Sequence, residues 1–152
     1  MNEQKKYEFT GEIKVVFGIN FKQIRAIINF GCVVAGEIGG WIECEENLSQ
    51  SGNAWVYGDA RVSGNACVSG NADVKKDDDY MVIGGAGRYN RFTTFFKCRD
   101  KTIKVICGCF FGTIIEFRAK VKETHKGNKH EKVYLAMADM AELQIGNDEV
   151  EK

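Results

Sequence analysis

The residues best suited to chemistry lie in the second half of the chain. Arg88 and Arg91 carry planar, fork-shaped donor groups that match phosphate or carboxylate oxygens, and Asn90 stands between them. They follow Gly84-Gly-Ala-Gly87, which reads as a flexible loop able to aim backbone N–H groups at an anion. Thr113 opens a predicted helix whose first N–H groups also favour negative charge. His125, Lys126 and Lys129 add cationic groups at the junction of two predicted helices, with His130 beside them. Arg88, Asn90, Arg91, Thr113, His125, Lys126 and Lys129 are therefore the candidate contacts for an anionic, nucleotide-like small molecule. Each has a plainer role when taken singly: a glycine turn, a helix cap, a solvated lysine, a histidine at a helix C-terminus. Their clustering in one basic third of the chain is what carries the binding expectation.

Catalytic machinery is harder to find. Acyl transfer on a repeat scaffold needs a proton acceptor near neutral pKa, the role histidine fills. His125 and His130 are the chain's two histidines and neither lies in the repeats, so no catalytic residue is assigned and an acyltransferase is the least favoured alternative. Of six cysteines, only Cys107-Gly-Cys109 has ligand-like spacing, and a second pair that would complete a zinc site is missing. Neither a metal nor a cofactor is expected.

Charge is balanced overall, with 21 basic and 21 acidic residues, which removes the long-range field that a general nucleic-acid binder uses. It is nonetheless segregated. Nine acidic against three basic residues from Glu37 to Asp79 give −6, and twelve basic against four acidic from Arg88 to Lys132 give +8. The acidic stretch contains the repeats, so mimicry of nucleic acid and direct blockade of a protein form a second functional expectation.

The elements that must position these residues begin with a repeat of period six. Gln50-Ser-Gly-Asn-Ala-Trp, Val56-Tyr-Gly-Asp-Ala-Arg, Val62-Ser-Gly-Asn-Ala-Cys and Val68-Ser-Gly-Asn-Ala-Asp run in register, and Val74 opens a fifth unit. An aliphatic residue, a Gly-Asn corner and a small residue at each sixth step suit a triangular coil, and the expectation is a short left-handed parallel β-helix over 50–74. Four units make little more than one coil, so flanking segments or another subunit must cover its ends. The predicted fold class is mainly β with C-terminal helices (α+β), in a single domain: N-terminal strands and cap over 1–49, the coil over 50–74, and a β-hairpin plus two helices over 75–152.

Before the repeats, Lys14-Val-Val-Phe-Gly and Phe21-Lys-Gln-Ile-Arg-Ala-Ile-Ile read as two strands around Gly18-Ile-Asn. After them, Tyr80–Gly84, Arg91–Cys98 and Thr102–Cys107 read as three more. Thr113-Ile-Ile-Glu116 is a capping box that starts a helix running to about Thr124, with Ile114, Phe117 and Val121 on one face. Gly127 and Asn128 end it, and a second helix over Lys129–Ile145 is expected to turn Val133, Met137 and Met140 inward.

Gly39-Gly-Trp-Ile-Glu43, Asn47-Leu-Ser-Gln50, the Gly-Asn-Ala repeats, Cys107-Gly-Cys-Phe110, Gly112-Thr113 and Glu123-Thr-His125 resemble a group of phage and prophage hexapeptide-repeat proteins, over Tyr7 to Ile145. The resemblance implies a viral or mobile-element origin, a β-helix with an added C-terminal region, and no particular reaction. It also suggests an accessory role: sequestering a host immune signal, or inhibiting a host defence protein by direct binding. The start lacks a signal-peptide core and no stretch approaches a membrane span, so the expected setting is the cytoplasm of the bacterial host. The expected assembly is a homo-oligomer, with a trimer among the arrangements, and without membrane contact.

Overall fold

A computed structural model describes residues 4–86, 91–108 and 110–146. The chain forms two compact units, 1–77 and 78–152.

In the first unit, β1 (Tyr7–Val16) and β2 (Ile19–Ala26) make an antiparallel hairpin, and β3 (Ile38–Ile42) pairs antiparallel with β2. The hairpin turns on Phe17 and Gly18, at φ 52° and 80°, rather than on Gly18-Ile-Asn as predicted. Two successive positive φ values match the right-handed twist of the strands they join. The repeats contribute β4 (Trp55–Val56), β5 (Arg61–Val62) and β6 (Asp73–Val74), each two residues long.

The left-handed parallel β-helix is not the architecture. The sheets run β1-β2-β3-β5 and β10-β9-β8-β7, and all of their long ladders are antiparallel. Among the described residues, parallel pairing is confined to Trp41↔Arg61 with Ile42↔Val62, Trp55↔Asp73 with Val56↔Val74, and an isolated bridge between Leu48 and Val68. The physical reason is length. Two-residue strands supply little ladder energy, and four repeat units offer too few layers to propagate a solenoid, so the long ladders are the antiparallel ones flanking the repeats.

The residue roles within the repeats are nevertheless as their period implies. Val56, Val62, Val68 and Val74 are completely buried, and Ala54, Ala60, Ala66 and Ala72 are nearly so. Gly52, Gly58, Gly64 and Gly70 all have positive φ, the corner conformation that a Cβ disfavours. Trp55 fills the centre, with Phe30 and Tyr7 packed edge-on at 5.3 and 6.3 Å between ring centroids. Gly39 makes room for it, since a Cβ there would lie 2.5 Å from Trp55 Cζ2. Asn47, fully buried, accepts from Glu43 N and Cys44 N and donates to Gly64 O and Ala66 O, so each of its polar valences is used.

The second unit holds β7 (Tyr80–Ala86), β8 (Arg91–Lys97), β9 (Ile103–Cys107) and β10 (Phe110–Thr113) in one antiparallel sheet. Two helices pack on it, α1 (Ile114–Thr124) and α2 (Lys129–Ile145). Their shared core includes Phe95, Val105, Phe117, Val121, Tyr134 and Ala138. Strand β10 is missing from the expected elements because Phe110-Phe-Gly-Thr is too short to show alternation. The inward face of α2 also differs from expectation: Tyr134, Met137, Ala138, Ala141 and Ile145 are buried, whereas Val133 and Met140 are 39% and 50% exposed. Among the described residues, no helix is long and apolar enough to cross a membrane.

Candidate functional site

The glycine-rich loop expected at 84–87 is strand over its first three residues, because β7 continues to Ala86. Gly84 serves packing there: a Cβ would fall 2.0 Å from Phe92 Cε1 on the neighbouring strand. Arg88 and Asn90 lie outside the described residues, and Arg91 is placed as the first residue of β8, opposite Ala86.

Thr113 is committed to the start of α1. Its Oγ1 accepts from Glu116 N at 3.1 Å, and Glu116 Oε1 accepts from Thr113 N at 2.9 Å. The chain's own carboxylate thus occupies the ground an external anion would take. A cleft of about 740 Å³ beside it is lined by Ile103, Thr113, Ile114, Asp139, Glu142 and Leu143 among others. Arg118 donates to Asp139 Oδ1 at 2.7 Å and Glu142 Oε1 at 2.9 Å, so the cation near this cleft already has two acceptors.

His125, Lys126 and Lys129 lie at the turn between α1 and α2, as their sequence positions require. Gly127, at φ 79°, reverses the chain, and Asn128 Oδ1 caps α2 by accepting from His130 N at 2.9 Å and Glu131 N at 3.2 Å. His125 lies at the end of α1, its N–H donating to Val121 O. Its ring stacks on Tyr134 with 5.5 Å between centroids and 28° between planes, and His130 meets it edge-on at the same distance. Lys126 and Lys129 project into solvent on either side of the turn. The turn therefore carries two exposed lysines near in sequence to the half-buried rings of His125 and His130, with Tyr134 buried in the core on the inner side of His125. Thr113 is not part of it: eleven helical residues, about 16 Å of rise, separate it from His125. Sequence reasoning missed Tyr134, a core residue that backs the His125 ring, and the signal available was its place four residues after His130, on the same helical face.

Cys107 accepts a hydrogen bond from Thr93 Oγ1 at 3.2 Å, and Cys109 lies outside the described residues. Among the described residues, no three His, Cys, Asp or Glu side chains gather where they could hold a metal ion.

No family model matches this chain. A stretch of 36 residues is 53% identical to an uncharacterised acetyltransferase, YdcK, of Escherichia coli strain K12. The match covers 24% of this chain and 11% of that protein.

Proposed function

We propose that this protein acts by binding rather than by catalysis, holding an anionic, nucleotide-like small molecule at the α1–α2 turn. The observation that carries the reading is the meeting of His125, His130 and Tyr134 with Lys126 and Lys129 beside them. Cations supply attraction for phosphate, and the half-buried rings of His125 and His130, backed by buried Tyr134, supply a surface for a base. The resemblance to phage hexapeptide proteins supplies the biological side of the proposal, in which the ligand is a host defence signal and its sequestration is the function.

The test is native mass spectrometry of the protein purified from cells producing nucleotide signals, followed by titration of each released nucleotide into Lys126→Ala/Lys129→Ala. Stoichiometric nucleotide, with affinity lowered by roughly tenfold or more in the double variant, supports the reading. A protein that carries no nucleotide, or a variant with unchanged affinity, sinks it.

A second reading, direct binding to a host protein, is favoured by a different observation. Phe17 is 97% exposed at the tip of the β1–β2 hairpin, in a positive-φ conformation usually filled by Asn, Asp or Gly. Ile13 and Val15, alternate residues leading to that tip, are also exposed. An apolar ridge of this kind suits a protein partner. A transferase reading draws on the similarity to an uncharacterised acetyltransferase, but that similarity spans little of the relative and residues 50–74 contain no histidine.

A further inference from the structure

Positive charge without a counterpart is concentrated at one end of the second unit. Elsewhere among the described residues, lysines reach a carboxylate, a backbone carbonyl or an aromatic ring, as Lys97 reaches Asp79, Lys22 the Glu43 carbonyl and Lys14 the Trp41 ring. Lys122, Lys126, Lys129 and Lys132 are exposed and make no such contact with another described residue. Among the described residues, Lys101, in the turn between β8 and β9, is the one comparable lysine outside this group.

The four lie together. Lys122 is in the last turn of α1, Lys126 and Lys129 flank Gly127-Asn128, and Lys132 follows Lys129 by three residues on α2. Lys122 and Lys132 are thus within about 5 Å of helix rise from the turn. With Lys120 they bring five positive charges to residues 120–132, against Glu123 and Glu131, a net of +3 with both histidines neutral. Both carboxylates are engaged, Glu123 Oε1 with Lys120 Nζ at 3.3 Å and Glu131 Oε1 with Gly127 N at 2.9 Å. The arrangement is unfavourable in the free chain. Lys129 and Lys132 are like charges three residues apart, at a helix start where acidic groups are favoured.

We propose that the ligand of the α1–α2 turn is a nucleotide with a chain of three or more phosphates, along which Lys122 and Lys132 extend the contacts begun by Lys126 and Lys129. The inference rests on the nucleotide reading above and deepens it by naming the number of phosphates. A monophosphate occupies one pair of lysines and leaves the other pair repelling. A triphosphate chain carries enough charge to relieve all four, and flexible lysine stems let each ammonium follow an oxygen without a rigid pocket.

Calorimetric titration of AMP, ADP and ATP into the full chain, at fixed ionic strength and without divalent cations, tests it. Affinity should rise by roughly two- to fivefold with each added phosphate. Lys122→Gln/Lys132→Gln should lower ATP affinity by roughly tenfold and shrink the ratio of ATP to AMP affinity, with helix content by circular dichroism unchanged. Lys101→Gln, away from the turn, should leave ATP affinity as it was. Equal affinity for AMP and ATP, a ratio unchanged in the double variant, or an equal loss in Lys101→Gln overturns the polyphosphate class and leaves the nucleotide reading standing. Binding of none of the three overturns both.

Discussion

Lys6 Nζ lies 2.7 Å from the carbonyl oxygen of Ala54, inside the first unit, with its side chain only 1% exposed. The carbonyls of Gly52 and Ser51 are at 3.3 and 3.4 Å, and the Phe30 ring lies 4.7 Å away. A cation immediately before β1 thus closes one corner of the repeats. Burial lowers its pKa from 10.5 to about 8, as loss of hydration outweighs the carbonyl dipoles.

Replacing Lys6 with Met should cost about 1–3 kcal/mol at neutral pH, because the Ala54 carbonyl is left buried without its donor. The pH dependence has a defined sign. Between about 8 and 10.5 the unfolded chain holds a proton on Lys6 that the folded chain has released, so the Lys6 contribution rises with pH through that window and is constant below it. Urea unfolding of wild type and Lys6→Met should show the gap between them widening across the window; a gap that narrows would show that the ammonium is the form stabilised by burial.

Asn47 satisfies four backbone groups at once, which makes Asn47→Asp a sharper test than Asn47→Ala. The carboxylate keeps the two acceptor contacts to Glu43 N and Cys44 N but turns an oxygen toward Gly64 O and Ala66 O. A loss of about 3 kcal/mol or more is expected at neutral pH, measured by thermal unfolding and partly recovered in acid where the group protonates.

Two glycines with close neighbours should behave differently. Gly39→Ala drives a methyl into the fully buried Trp55 ring and should cost about 1–3 kcal/mol. Gly84→Ala meets Phe92, which is 47% exposed and can swing aside, so its cost in denaturant midpoint should be the smaller of the two.

At the hairpin tip, Phe17→Asn replaces an aromatic residue with one that tolerates positive φ, and should stabilise the protein by about 0.5–1 kcal/mol. If the apolar ridge meets a protein partner, the same substitution should abolish that interaction in a pull-down against the isolated partner. Stability gained with binding retained would remove Phe17 from the functional surface.

Thr113→Ala should cost about 1 kcal/mol of stability through loss of the cap on α1, and under the proposed function should leave nucleotide affinity unchanged. A parallel loss of affinity in calorimetric titration would return Thr113 to the ligand site.

What was legible in the sequence is what local chemistry decides. The period of six assigns Val56, Val62, Val68 and Val74 to the interior and Gly52, Gly58, Gly64 and Gly70 to corners, since side-chain size and the φ preference of glycine act within a few residues. The bounds of α1 and α2 follow from Thr113, Glu116, Gly127 and Asn128 for the same reason: caps are contacts over three or four positions. Tertiary structure decided the rest. A repeat of four units is compatible with a coil, but whether it propagates depends on partners distant in sequence, and the hairpins supplied antiparallel ladders instead. Gly84 reads as a loop until Phe92 is known to lie against it. Helix α2 has apolar residues on two stripes, and periodicity alone cannot say which of them its own sheet buries. Lys6 looks like a surface residue of a polar start, and only the Ala54, Gly52 and Ser51 carbonyls, more than 40 positions away, make it an interior one.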